Sequence, residues 1–306
     1  MTTAGSSLRA TIQLCTYNRA HLLGRVLDAC FDQTIDPGSY EVVLVDDGST
    51  DETEAVIEAA RGRADCAFTV IRQANAGLAR ARNAGLAHAR GERVIFIDDD
   101  VLPVPSFVTE HLRSHERNPA AIVRGAVINT ASFDDLPVPI WTPLNYSGNS
   151  FWTTNVSVPR AAIERVGGFN ERFREYGWED IELGLRLRAA GVAATFNRHA
   201  LAFHYKPRPR AKSIPRMLEQ ARAQARTAIE LRQLHPTWRV VLATGEDPLR
   251  LGIHRLLRRV GLRRMLEGAV RDRNSDRPLA ATELIAARAL AKETYFEELE
   301  LARAAH

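Results

Sequence analysis

An α/β fold with a mostly parallel, doubly wound sheet and a helical C-terminal extension is predicted by three observations. Apolar runs alternate with amphipathic ones through the first hundred residues. Two of the apolar runs, "EVVLVDD" and "RVIFIDDD", end in groups of aspartates. Beyond Lys206 only helical patterns remain. Strands alternating with helices argue for βαβ units and a parallel sheet.

The elements follow in order. "ATIQLCT" (10–16) reads as a strand and "RAHLLGRVLDACFDQ" (19–33) has helical periodicity. "EVVLVD" is the second strand, and "DETEAVIEAARG" opens with acids and stops at Gly62, as a helix should. "AFTVIRQ" is a third strand. "NAGLARARNAGLAHARG" is a helix entered near Asn75 and Ala76 and stopped at Gly91. "RVIFID" is so uniformly apolar that it reads as buried on both faces. The stretch 129–150, rich in proline, aromatics and small polar residues, reads as a long loop and a candidate lid. "FWTTNVSVP" is then a strand, "RAAIERVGG" a short helix, "WEDIELGLRLRAAG" a helix and "VAATFN" a strand running toward His204.

Bulk properties narrow the class. With 306 residues and 45% hydrophobic content the chain can bury a large core, and no apolar run is long enough to span a bilayer. The N-terminus lacks a basic segment followed by an apolar one, and three cysteines without metal-ligand spacing suit a reducing cytoplasm. The net charge of +4 conceals an asymmetry: from Lys206 onward there are 21 basic and 12 acidic residues, against 20 and 25 before it. Only three of the basic residues are lysine, and an arginine-rich tail suits phosphate groups.

The aspartates carry the chemistry. In doubly wound sheets ligands bind beyond the carboxyl ends of the strands, where Thr16, Asp46 and Asp98 all lie. Asp98, Asp99 and Asp100 would repel one another without solvent, protonation or a cation. Asp98 and Asp100, two apart in an extended chain, would point to one side and suit a hard divalent cation that also takes diphosphate oxygens. The plain alternative is a solvated acidic turn. Asp47 or Ser49 would cap the next helix with Gly48 supplying the turn, leaving Asp46 to accept from a nucleobase imide. Arg80 reads as solvated, whereas Arg82 would face a base or phosphate. Glu179 and Asp180 either favour a helix start electrostatically or supply a general base. His204, taken alone, is more often structural.

Together "CTYNR", "VLVDDGSTD", "NAGLARARNAG" and "FIDDD" resemble the nucleotide-binding half of the family 2 glycosyltransferases of GT-A fold. "VGGFNERFREYGWEDIELGLRLRAAG" resembles the acceptor half of galactosyl- and N-acetylgalactosaminyltransferases. The resemblance implies a GT-A catalytic domain over 1–206, with a nucleotide-sugar half (1–103) and an acceptor half (104–206), followed by a basic helical extension (207–306). It implies that Thr16, Arg19, Asn75 and Asp98 line the nucleotide site, and that Asp46 meets the uracil edge with Arg82 nearby. Asp98, Asp100 and His204 would hold Mn²⁺ or Mg²⁺. Asp180 would be the base, Glu179 would hold the acceptor, and Gly177 and Trp178 would lie against its sugar. The implied activity is inverting transfer of a hexose or N-acetylhexosamine, with a lean to galactose or N-acetylgalactosamine, from a UDP-sugar to a hydroxyl acceptor. A non-catalytic sugar-nucleotide or carbohydrate-binding protein would not need Glu179, Asp180 and His204 together. A dinucleotide oxidoreductase or a nucleotidyltransferase would need a glycine-rich loop after the first strand, and "CTYNRAH" has none.

In the tail, "PLRLGIHRLLRRVGLRRMLEGAVRDR" (248–273) places Leu249, Ile253, Leu256, Leu257 and Val260 at helical spacing among arginines. It reads either as an interfacial helix on an anionic membrane or as a helix packed on the catalytic domain. Nucleic acid is not expected, because the aromatics that accompany single-strand binding are sparse. Oligomeric state is left open.

Overall fold

The computed structural model describes residues 8–140 and 151–305. The chain divides into two compact units, 1–174 with 179–206 and 175–178 with 207–306.

The first unit is an eight-stranded sheet flanked by helices. Strands β1 (Ala10–Thr16), β2 (Tyr40–Asp46), β3 (Ala67–Arg72) and β4 (Arg93–Ile97) are joined by helices α1 (Ala20–Phe31), α2 (Thr53–Arg61) and α3 (Leu78–His88). β5 (Val101–Pro103), α4 (Phe107–Arg117), β6 (Ile122–Thr130), β7 (Asn155–Pro159), α5 (Arg160–Arg165), α6 (Glu179–Ala189) and β8 (Ala194–Tyr205) complete it. The strand order is β3-β2-β1-β4-β7-β6-β8-β5. β1 to β4 pair in parallel, and β7 enters antiparallel against β4. The crossovers leave β1 to opposite sides, which opens a crevice at the carboxyl ends of β1 and β4.

Both faces of β4 are dry. Ile95 and Ile97 of β4 join Ile12, Leu14, Val42 and Leu44 against α1 and α2. Val94 and Phe96 face the other way, onto Phe151, Leu183 and Leu187. Period-two alternation with apolar residues on both faces is why β4 reads as a continuous apolar run. Each such side chain, fully buried, contributes about 1.5–3 kcal/mol. Phe96 meets Phe151 and Phe169 edge to face, at 5.7 and 5.4 Å between centroids.

Helix α4 and strand β6 have no counterpart in the sequence reading. The run beginning at 194 extends through His204 as a twelve-residue strand, with a register shift against β6 at Gly125/Ala126. A Cβ on Gly125 would lie 2.2 Å from the Ala200 carbonyl oxygen, so glycine is required where the strands close up. Of the stretch read as a loop and lid, Asn129 and Thr130 finish β6, and 141–150 lie outside the described residues.

The second unit is helical: α7 (Ile214–Leu234), α8 (Trp238–Thr244), α9 (Pro248–Arg259), α10 (Leu262–Ala269) and α11 (Ala281–Ala305). Ile214, Leu218, Leu266 and Leu290 form one apolar cluster; Ile229, Leu251, Phe296 and Leu299 form another. Among the described residues no helix is long and apolar enough to cross a membrane.

Candidate active site

Two loops build one side of the crevice rim, and side chains lace them together. Asn18, at a φ of 53°, accepts at Oδ1 from the Thr50 amide (2.7 Å) and the Asp51 amide (3.3 Å). In return the Asn18 amide donates to Ser49 Oγ, and the Ala20 amide to Asp51 Oδ2. The helix cap expected from Asp47 or Ser49 is not made: Glu52 stands at the cap without a side-chain bond, and Asp51 before it accepts at Oδ1 from the Thr53 amide at 3.1 Å.

Asp46 and Asp47 divide their work. Asp46 closes its own turn by accepting from the Ser49 amide (2.9 Å). The guanidinium beside it belongs to Arg72, at 3.6 Å, whereas Arg82 is engaged elsewhere. Asp47 orders the segment leading into α3: it accepts from Gln73 Nε2 (2.7 Å) and from the Ala76 and Gly77 amides (3.0 and 3.1 Å). Asn75 itself is exposed. Gly77 has a φ of 90°, and a Cβ there would sit 2.7 Å from the Arg174 carbonyl oxygen. Gly77→Ala is therefore expected to cost roughly 2 kcal/mol, read as a lower Tm in a thermal melt.

The three aspartates after β4 do not form an extended run. The Val101 amide bonds the Asp98 carbonyl at 3.1 Å, so the chain turns and the carboxylates of Asp98 and Asp100 take different partners. This corrects the expectation that Asp98 and Asp100 share one side. Asp98 accepts from Thr154 Oγ1 (2.9 Å) and lies 3.5 Å from Arg82. Asp99 accepts from Thr16 Oγ1 at 2.8 Å, with Arg19 at 4.0 Å. Burial pushes Asp99 up to about 7 against those two neighbours. Asp100 Oδ1 lies 3.2 Å from His204 Nε2, with Arg19 and Lys206 at 3.7 and 3.9 Å. Burial opposes its ionisation, but His204, Lys206 and Arg19 outweigh burial and hold its carboxyl below the usual range.

The expected ligand trio of Asp98, Asp100 and His204 thus reduces to a pair. Among the described residues no three His, Cys, Asp or Glu side chains group as a metal site. The pair still suits a hard cation: one carboxylate and one imidazole nitrogen, about as far apart as neighbouring donors on a cation with bonds near 2.1 Å. His204 is placed there by register, since it pairs with Val101 across β5 and β8.

Arg82 is the hub of the opposite wall. Its buried guanidinium donates to Glu179 Oε1 and to Thr153 Oγ1, both at 2.6 Å, and lies 5.3 Å from the Phe169 ring centroid. It reaches Asp98 as well, so one cation joins a strand-end carboxylate to the first residue of α6. Glu179 Oε2 is buried without a hydrogen-bond partner. Beside it, burial and the Glu179 charge push Asp180 up to about 7, despite Arg82. Thr153 and Thr154 were not singled out in the sequence; two adjacent hydroxyls carry no recognisable spacing.

Gly177 and Trp178 belong to the helical unit. Both have positive φ, 110° and 70°, and for a tryptophan that conformation is strained by about 1–3 kcal/mol. The indole Nε1 donates to the Gln224 carbonyl at 2.9 Å. Within that unit Trp178 lines a cavity of about 530 Å³ with Tyr176, Met217, Gln220 and Tyr295.

Residues 11–170 match the family described as glycosyl transferase family 2, and residues 142–208 match the N-terminal domain of galactosyltransferase. The chain is 33% identical over 226 residues to validoxylamine A glucosyltransferase of Streptomyces hygroscopicus subsp. limoneus, covering 62% of this chain and 50% of that protein. It is 26% identical over 265 residues to the uncharacterized glycosyltransferase YfnE of Bacillus subtilis, covering 68% and 67%. The chain spans about half the length of the validoxylamine relatives it matches. Its fold is shared with the mannosyltransferase PcManGT of Pyrobaculum calidifontis, solved with GDP-Man and Mn²⁺, at a TM-score of 0.62 and 18% identity over 96% of this chain and 86% of that one.

Proposed function

The chain belongs to glycosyl transferase family 2, and from that premise we propose that it transfers a hexose or N-acetylhexosamine from a UDP-sugar to a hydroxyl of a glycan, lipid-linked or small-molecule acceptor, with inversion. The observation that carries the reading is the bridge from Asp98 through Arg82 to Glu179, which ties the donor rim to the carboxylate pair at the head of α6.

Asp46, held at the end of β2, meets the nucleobase edge, and Thr16 and Arg19 line the path to the phosphates. Asp100 and His204 would hold a divalent cation, Mn²⁺ or Mg²⁺, which would supply positive charge to the leaving diphosphate. Asp180 takes the proton from the acceptor hydroxyl as that oxygen attacks the anomeric carbon. The bond from that carbon to the diphosphate oxygen breaks, and a single displacement inverts the centre. A carboxyl raised to about 7 suits a base working near neutrality. The unpartnered Oε2 of Glu179 accepts from an acceptor hydroxyl. The galactosyltransferase-type match supports galactose or N-acetylgalactosamine, and the 33% identical relative adds glucose to the candidates.

The test is nucleotide release from a panel of UDP-, dTDP- and GDP-sugars, with Mn²⁺ and with EDTA. Release from one UDP-sugar is expected, lost with EDTA and lowered at least a hundredfold by Asp100→Ala. Tight UDP binding without release, even with candidate acceptors added, would turn the reading to a sugar-nucleotide-binding protein.

A further inference from the structure

We propose that α8, α9 and α10 form a docking surface that lies on an anionic membrane and inserts its apolar side chains at the interface. The proposal stands apart from the transferase reading and rests on the helical unit alone.

The inward side of α9 is fixed by Leu251, which is buried with Phe296 and Leu299, and by His254. The His254 Nδ1 lies 2.6 Å from Glu293 Oε1, and its ring stacks on Phe296 at 3.7 Å. Leu249, Ile253, Leu256 and Val260, spaced four, three and four apart, therefore form one stripe on the outward side. They are exposed by 73, 47, 61 and 71%. Trp238 on α8 and Met265 on α10 are exposed as well. α9 packs inward through Leu251 and His254, and that packing leaves this stripe outward.

The charges on these three helices point to the occupant. Arg255 and Arg258 pair with Glu300, and Arg263 with Glu297. Arg239, Arg259 and Arg264 have no acidic partner among the described residues; Arg239 lies over the Trp238 ring. An apolar face flanked by the uncompensated Arg259, on a helical unit that also exposes Trp238, Arg264 and Met265, matches the boundary between acyl chains and anionic headgroups. A second copy meeting the same face would set arginine against arginine. With no helix able to cross the bilayer among the described residues, the surface would lie on the membrane.

The experiment is flotation of the full chain with vesicles of phosphatidylcholine, alone or with phosphatidylglycerol. Binding is expected only with phosphatidylglycerol, weakening as salt rises. The triple substitution Ile253→Ser, Leu256→Ser, Val260→Ser and the pair Arg259→Glu, Arg264→Glu should each lower it on the order of tenfold or more. All five side chains point away from the packed core or are partly exposed, so an unchanged Tm should accompany the loss. A blue shift of the emission lost in Trp238→Phe should appear with the same vesicles. No binding, or equal binding by the triple variant, would overturn the proposal. So would a wild-type dimer that the triple variant makes monomeric without any vesicle binding.

Discussion

Replacing Asp180 with asparagine should lower transfer by on the order of 10³-fold or more while leaving UDP binding within a few-fold of wild type. The amide matches the carboxyl in shape and cannot take a proton, so the loss should fall on kcat. Wild-type kcat should rise with pH through an acid limb near 7, because burial and Glu179 keep the carboxyl protonated below that value. That limb should be missing from the residual activity of the variant. Stability should move the other way. A carboxyl whose folded pKa is raised binds its proton more tightly in the folded state, so stability falls as pH rises from the ordinary carboxylate value toward 7. Asp180→Asn should therefore melt higher than wild type at pH 8 and nearly equal to it at pH 4. A variant that lost activity and stability together at pH 8 would mark Asp180 as structural.

Arg82→Met should be among the most destabilising single changes in the sheet unit, costing about 3–5 kcal/mol in chemical denaturation. Methionine fills much of the space over Phe169, but the Glu179 carboxylate and the Thr153 hydroxyl lose a buried partner together. If the cost stayed below about 1 kcal/mol, the hub would be a solvated pair of the kind found on surfaces.

The sheet was most legible as far as Ile97, because its strands are mainly apolar and α2 and α3 stop at Gly62 and near Gly91. Legibility failed where burial is polar. Helix α4 presents His111, Ser114 and His115 to the interior beside Phe107 and Leu112, which breaks the apolar stripe that betrays a helix. Both rings bond Ser157, and His111 also bonds Asn155, from a strand more than forty residues away, and burial pushes His111 down to about 4. The apolar pattern of strand β6 is interrupted by Arg124 and Gly125. At the site, strand ends located Thr16, Asp46 and Asp98, since the end of an apolar run is a local signal. The turn that separates Asp98 from Asp100 is a backbone hydrogen bond with no residue signature. Arg82 and Glu179, 97 positions apart, become a pair only through the fold.

The lacing of the two rim loops bears on how a diphosphate can be recognised here. The amides of Asn18, Ala20, Ser49, Thr50 and Asp51 already donate to protein oxygens. A glycine-rich phosphate loop leaves such amides pointing at the ligand and neutralises it with dipoles. This rim has committed those donors to holding its own shape, so under the proposed function the phosphate charge is expected to fall more on full cations such as Arg19. Affinity for the donor should accordingly fall with ionic strength more steeply than at a site that cradles phosphate in its backbone.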